Sequence, residues 1–123
     1  MTFFCRSNIR SLAIFAAVFA WSVALQAKAD TRLVMFEQED CHFCERWLAE
    51  IGDRYHLTDE GKKAPLQRVM LGGQLPSGFS ATDISVTPTF VLLNEGREVA
   101  RLVGYAGDEF FWIQMQELLD KLP

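Results

Sequence analysis

The stretch TRLVMFEQEDCHFCERWLAEI, residues 31–51, decides the fold of this 123-residue chain. Its first part, residues 31–36, is a short apolar run that predicts a buried β-strand. Its second part holds two cysteines three positions apart, Cys41 and Cys44, within a segment of helical periodicity. The apolar residues of that helix face are Phe43, Trp47, Leu48 and Ile51. The sequence therefore predicts that a CxxC pair lies where a strand ends and a helix begins.

The spacing of the two cysteines indicates redox chemistry. A cysteine at a helix start points its sulfur toward unpaired N–H groups and the positive end of the helix dipole, which lower its pKa. Cys44 lies one turn further on, where it can attack a mixed disulfide at Cys41. We therefore interpret Cys41 as the nucleophile and Cys44 as the resolving thiol. A disulfide between them closes too short a loop to stabilise the fold much, which favours a catalytic role.

The two residues between the cysteines, His42 and Phe43, are expected to tune the redox couple. A protonated His42 would stabilise a thiolate at the first cysteine and make the pair more oxidising. The preceding acidic residues, Glu37, Glu39 and Asp40, would oppose it by like-charge repulsion. Asp40 is also a good helix N-cap by residue type. The direction of the redox couple stays open at this point.

Downstream segments predict three further strands and a last helix. The predicted strands are residues 66–71, 89–93 and 98–103, with a hairpin turn at 94–97. Gly52 is expected to end or bend the first helix, and Gly107 or Asp108 to open the last one. The order β-α-β, β-β-α predicts an α/β domain with a four-stranded mixed sheet flanked by helices. The first two strands should be parallel, because a helical crossover joins them.

A second motif, Thr87-Pro88-Thr89, precedes the third predicted strand. Proline cannot complete a sheet ladder, so it belongs where a strand starts or in a special turn. Together with the CxxC pair and the hairpin, this motif resembles the thioredoxin superfamily over residues 31–122. The resemblance implies a thioredoxin-like fold, a cis Pro88 beside the CxxC pair, and substrate contact through the backbone of Thr87. An ordinary trans proline is the alternative.

Further stretches narrow the resemblance to the small periplasmic thioredoxins encoded with bacterial sulfur-oxidation (Sox) systems. They include residues 57–61, 64–68, 87–92 and 104–112. This resemblance implies a dedicated reductase that acts on a cysteine of a sulfur-carrier protein. It also implies a membrane thiol-electron carrier as the source of electrons.

The chain departs from thioredoxins at two positions beside the CxxC pair. Asp40 stands where thioredoxins carry Trp, and Met35 stands where they carry the buried acid that relays protons. Proton transfer from Cys44 would then use water, a carboxylate such as Glu37, or no dedicated group.

The first 29 residues predict a cleaved signal peptide, which leaves 30–123 as the mature domain. Arg6 and Arg10 supply a positive start, residues 12–25 are apolar, and Ala27-Lys28-Ala29 has the small-x-small pattern of a cleavage site. Fourteen apolar residues rise only about 21 Å as a helix, short of a bilayer core. An uncleaved N-terminal membrane anchor is the alternative. Both readings predict a periplasmic domain, and Cys5 would leave with a cleaved signal.

Charge and ligand chemistry exclude several classes of function. The mature part has nine basic and sixteen acidic residues, a formal net charge of −7. That charge repels nucleic acid, so we expect no nucleic-acid partner. His42 and the two cysteines lie in one four-residue turn and cannot easily ligate one ion, so no metal is expected. The redox-active disulfide itself makes a cofactor unnecessary, and we expect a monomer.

The sequence thus predicts a thiol–disulfide oxidoreductase that acts on protein thiols or disulfides. Two alternatives remain open. The first is a disulfide isomerase or oxidase of exported proteins, which the redox potential would distinguish from a reductase. The second is a redox-inert module that uses the same fold to bind a metal or a protein.

Overall fold

Four strands form one mixed sheet in the order β2-β1-β3-β4. They are β1 (Thr31–Glu37), β2 (Leu66–Met70), β3 (Thr89–Asn94) and β4 (Arg97–Val103). β1 pairs with β2 in parallel, and the other two pairings are antiparallel. The computed structural model describes residues 30–80 and 83–123, so the predicted signal peptide and Cys5 lie outside the described residues. The predicted four-stranded mixed sheet, with its parallel first pair and its C-terminal hairpin, is confirmed.

A helical crossover joins β1 to β2. Helix α1 (His42–Trp47) continues through a π-helical turn (Leu48–Gly52) into α2 (Asp53–Tyr55), and α3 (Asp59–Lys63) follows. Gly52 does not end this helix, because its backbone is helical (φ −48°, ψ −50°); it is the last residue of the π-helical turn. The segment continues because Trp47, Ile51 and Tyr55 are spaced to bury one face.

The last helix, α4 (Asp108–Leu119), begins where the sequence predicts. Its buried residues are Phe111, Met115, Leu118 and Leu119. Across residues 30–80 and 83–123, no helix is both long enough and apolar enough to cross a membrane.

The main hydrophobic core lies between the helices and one face of the sheet. Its largest members are aromatic rings at mutual centroid distances of 5.1–6.4 Å: Trp47, Tyr55, Phe90 and Phe111. Both cysteines of the CxxC pair belong to this core. Phe43 does not, although the helical periodicity placed it on the buried face; its side chain is 51% exposed. It lies in the first turn of α1.

The opposite face of the sheet has a thinner cover. Its core consists of Val34, Phe36, Val69, Val91 and Leu93. Residues 71–80 and 83–88, which form neither helix nor strand, pack over it through Leu71, Leu75, Phe79 and Ile84. In residues 71–80 and 83–88, therefore, loop segments and not a helix cover this face.

Candidate active site

Cys41 is the N-cap residue of α1, a position that the sequence assigned to Asp40. The Cys41 backbone is extended (φ −86°, ψ 94°), and its Sγ accepts a hydrogen bond from the Cys44 backbone N–H at 3.2 Å. Asp40 instead adopts a left-handed conformation (φ 58°), which turns the chain from β1 into the helix. Asp is one of the few non-glycine residues that tolerate this region. The Cys41 sulfur itself therefore caps the helix.

Cys41 and Cys44 are joined by a disulfide with a Cα–Cα distance of 5.2 Å. Both are buried, with 7% and 3% of their surface exposed. Trp47, one turn beyond Cys44, and Met35 on β1 belong to the same core cluster. The pair is thus held by rigid elements, and Cys41 is the more accessible of the two residues. The role of Cys41 as the attacking thiol stays a prediction.

The Thr87–Pro88 peptide bond is cis, as the resemblance implies. Pro88 is buried, and its carbonyl accepts a hydrogen bond from the Gly104 N–H at 2.7 Å. The Thr89 hydroxyl donates to the Val86 carbonyl at 2.6 Å. These contacts fix the turn before β3, so that Thr87 stays partly exposed at its surface.

A groove of about 320 Å³ connects this turn with the CxxC turn. The groove is lined by Phe43 of the CxxC turn and by Val86 and Thr87 of the turn before β3. It is also lined by residues 103–106, which we term the far wall. Three of its lining side chains are strongly exposed and apolar: Phe43, Val86 and Val103. The structure therefore brings the two sequence motifs together around one open, apolar groove.

His42 and Phe43 point outward from the first turn of α1. Both are exposed, and their rings meet edge to face at a centroid distance of 5.6 Å. Their tuning of the redox couple stays a prediction.

Glu37 is a site residue whose position sequence reasoning missed. It is the last residue of β1 instead of the first residue of an exposed loop, and it is 7% exposed. Arg68 Nη2 lies 2.9 Å from the Glu37 carboxylate. Because side chains alternate along a strand, Glu37 faces the same side as Met35, toward the core that contains both cysteines. The alternation of side chains along β1, extended by one residue, could have predicted the buried position of Glu37. Its role in proton transfer stays a prediction.

A group of three polar side chains lies between the active-site helix and the far wall of the groove. We term it the Tyr105 cluster; it consists of Arg46, Glu50 and Tyr105. The Tyr105 hydroxyl donates to Glu50 Oε2 at 2.5 Å, and Arg46 Nε donates to Glu50 Oε1 at 2.8 Å. The Arg46 guanidinium lies over the Tyr105 ring, 5.5 Å from its centroid. The i, i+4 spacing predicts the Arg46–Glu50 pair. No local pattern indicates the contact with Tyr105, 55 residues away.

The electrostatics of the cluster follow from these contacts. The hydrogen bond from Tyr105, followed by the one from Arg46, lowers the pKa of Glu50. Burial, followed by the hydrogen bond to Glu50, raises the pKa of Tyr105. Glu50 is therefore a carboxylate and Tyr105 a neutral donor at neutral pH, which is the pairing that a strong hydrogen bond needs.

Among residues 30–80 and 83–123, no group of three or more His, Cys, Asp or Glu side chains could hold a metal ion.

Comparisons with known proteins agree with this geometry. A family described as "Thioredoxin-like domain" matches residues 21–119. The periplasmic thioredoxin SoxS from Paracoccus pantotrophus, solved in its reduced form, is 47% identical, with a TM-score of 0.70 over 74% of this chain and 97% of that one. Thioredoxin f2 from Chlamydomonas reinhardtii is 23% identical, with a TM-score of 0.50 over 75% of this chain and 82% of that one, and shares the fold. No curated protein sequence matches the chain.

Proposed function

Since this chain belongs to the thioredoxin-like family, we propose that it is a periplasmic reductase dedicated to a cysteine of one partner protein. The coarser activity, thiol–disulfide oxidoreduction through a CxxC pair, follows from the family, the fold and the disulfide. The proposal adds the direction, the compartment and the kind of partner. The partner is a sulfur-carrier protein of sulfur oxidation, and a membrane thiol carrier supplies the electrons.

The reaction starts from the dithiol form. The Cys41 thiolate attacks the cysteine sulfur of the partner's disulfide or sulfur-modified cysteine, and the other sulfur leaves as a thiolate or, from the sulfur-modified cysteine, as hydrosulfide. Cys44 loses its proton and attacks Sγ of Cys41, which releases the partner's cysteine as a second thiolate. The partner gains two electrons, and the enzyme is left with its Cys41–Cys44 disulfide. A dithiol of the membrane carrier reduces that disulfide by the same exchange.

One observation carries the proposal: the Cys41 sulfur caps a helix whose first turn carries Phe43, and Phe43 lines an apolar groove together with Thr87. The cap stabilises the thiolate as a leaving group and as a nucleophile. The groove can hold an extended segment of a partner chain along Thr87. The likeness to a periplasmic thioredoxin, together with the predicted signal peptide, supports the compartment.

A trapping experiment tests the mechanism and the partner. In a Cys44→Ser variant the resolving thiol is absent, so the mixed disulfide at Cys41 should accumulate and a covalent partner should be recovered from periplasmic extract under non-reducing conditions. A Cys41→Ser variant, which keeps one thiol in the same motif, is the matched control and should trap nothing. If the Cys44→Ser protein captures no partner while the wild type stays active, the dedicated-reductase proposal is wrong.

The redox potential distinguishes reduction from the alternative, oxidation or isomerisation of exported proteins. Phe43 before the second cysteine is the feature that favours this alternative, because glutaredoxins and bacterial disulfide isomerases carry an aromatic residue there. Equilibration of the mature domain with glutathione should give a potential near that of thioredoxin, about −270 mV. A redox potential of about −120 mV would instead identify an oxidant.

A further inference from the structure

We propose that the Tyr105 cluster is a positioning device that fixes the far wall of the groove against the active-site helix. It would thereby set how tightly a protein substrate binds, without altering the chemistry of the cysteines. The inference deepens the proposed function and rests on it in one respect: that the groove receives the substrate chain.

Most of the far wall, residues 104–106, belongs to the loop of residues 104–107 between β4 and α4. Glycines with left-handed backbones bound it on both sides, Gly104 at φ 84° and Gly107 at φ 124°. Glycine permits many backbone conformations, so the flanking residues do not by themselves hold the loop in one place. Its position depends on the contacts that the residues between them make.

Two hydrogen bonds tie this wall to the rest of the site. The Gly104 N–H donates to the carbonyl of the cis Pro88, which joins the start of the loop to the turn before β3. The Tyr105 hydroxyl donates to Glu50, which joins the middle of the loop to the helical segment that begins at the CxxC pair. The cluster therefore sets the distance between the far wall and the cysteine-bearing segment.

The three side chains of the cluster constrain one another. The Glu50 carboxylate accepts from Tyr105 with one oxygen and from Arg46 with the other, so its orientation is fixed. The Tyr105 ring is largely buried, between the Arg46 guanidinium on one side and an edge contact with Phe111 at 6.3 Å. An added Cβ at Gly107 would lie 3.7 Å from Arg46 Nη2, so the loop also packs closely on the cluster.

This arrangement separates binding from chemistry. None of the three side chains contributes a group to the disulfide, and Glu50 is not part of the groove lining. A small disulfide needs only access to the Cys41 sulfur. A protein disulfide must also fit its backbone between Thr87 and the far wall, so a loosened wall weakens its binding.

The test compares Glu50→Ala with Glu50→Gln, using insulin as the protein disulfide and hydroxyethyl disulfide as the small one. Both variants lose the same charge, but only Gln keeps an oxygen that can accept from Tyr105. We expect Glu50→Ala to raise KM for insulin about five- to tenfold, the effect of one lost hydrogen bond, with kcat unchanged. Glu50→Gln should stay within about twofold of the wild type, and reduction of hydroxyethyl disulfide should be equal in all three proteins.

Two outcomes would overturn the inference. Equal insulin KM values for Glu50→Ala and the wild type would show that the cluster does not position the groove. Equal increases in both variants would show that the charge, and not the hydrogen bond, matters. Because insulin is a general substrate, a wild type that reduces it but traps no periplasmic partner contradicts the proposed function alone.

Discussion

Single residues around the CxxC pair show where residue type alone predicts well. Cys41 and Cys44 form the predicted disulfide, and the Thr87–Pro88 bond is cis as the resemblance implies; the catalytic and substrate-binding roles of these four residues stay predictions. Asp40 shows the limit. Its side chain suits an N-cap, but the chain also needs a left-handed residue immediately before the helix, and Asp40 meets that requirement. The side chain of Asp40 suits both an N-cap and a left-handed position, and the backbone conformation needed before the helix decides that Asp40 takes the second.

Glu37 is a residue whose neighbours decide its effect on stability. Its carboxylate is buried at the end of β1, and Arg68, itself half-exposed, supplies the partner charge. A buried carboxylate that loses its partner keeps the cost of desolvation without compensation.

We therefore expect Arg68→Met to lower the free energy of unfolding by about 1–3 kcal/mol. The double variant Glu37→Gln/Arg68→Met, which removes the charge as well, should recover part of that loss. Urea denaturation of the two variants and the wild type measures both quantities. Equal losses in the single and double variants would show that the ion pair does not carry the effect.

At the scale of elements, two glycines in the crossover have opposite surroundings. An added Cβ at Gly52, in the π-helical turn, would approach the Leu48 side chain at 3.3 Å, where a partly exposed leucine can move. An added Cβ at Gly61, in α3, would lie 1.9 Å from the Tyr55 backbone carbonyl oxygen. The sequence analysis predicted a structural role for Gly52, whereas Gly61 is the position where only glycine fits. This packing of α3 against the end of α2 is a tertiary contact that local pattern does not show.

Gly52→Ala should raise the free energy of unfolding by about 0.4–1 kcal/mol, because alanine has fewer conformations to lose in the unfolded chain. Gly61→Ala should lower it by about 2–3 kcal/mol or more, because the backbone must move to relieve the overlap. Thermal unfolding of the two variants side by side provides the comparison. A destabilised Gly52→Ala, or a neutral Gly61→Ala, would contradict this reading of the crossover.

For the molecule as a whole, apolar runs and turn residues predicted the four strands, the parallel first pair and the hairpin of the last two. The same reasoning did not predict which long-range contacts join the layers. The Tyr55 hydroxyl donates to the Ala64 carbonyl at 2.7 Å inside the core, and the Tyr105 hydroxyl donates to Glu50 of the helical crossover. Both depend on the final packing of the helices, which no local window contains.

Burial of Tyr55 makes the stability of the fold depend on pH in the alkaline range. Burial raises the pKa of Tyr55 above its ordinary value, and the nearby Glu60 charge adds to this effect. In the unfolded chain a tyrosine ionises at about pH 10, whereas the folded Tyr55 ionises only at higher pH. The contribution of Tyr55 to stability is therefore complete below that pH and is lost as the pH rises above it.

The free-energy difference between the wild type and Tyr55→Phe should therefore shrink between pH 9 and pH 11. Phenylalanine lacks the bond to Ala64, so the variant is the less stable protein at neutral pH, but it has no proton to lose. Urea midpoints of both proteins across this range measure the difference. A difference that stays constant with pH would show that Tyr55 does not titrate on unfolding.

The unequal cover of the two sheet faces has a consequence for how the protein opens. One face is sealed by helices with a continuous aromatic core, and the other by an irregular stretch that contributes a few apolar side chains. Local opening starts where few apolar contacts must be broken. Amide protons beneath Leu75 and Phe79 should thus exchange with solvent deuterium through a partial opening that leaves the helix-covered half intact. The chain could then loosen on one side while the redox centre keeps its architecture.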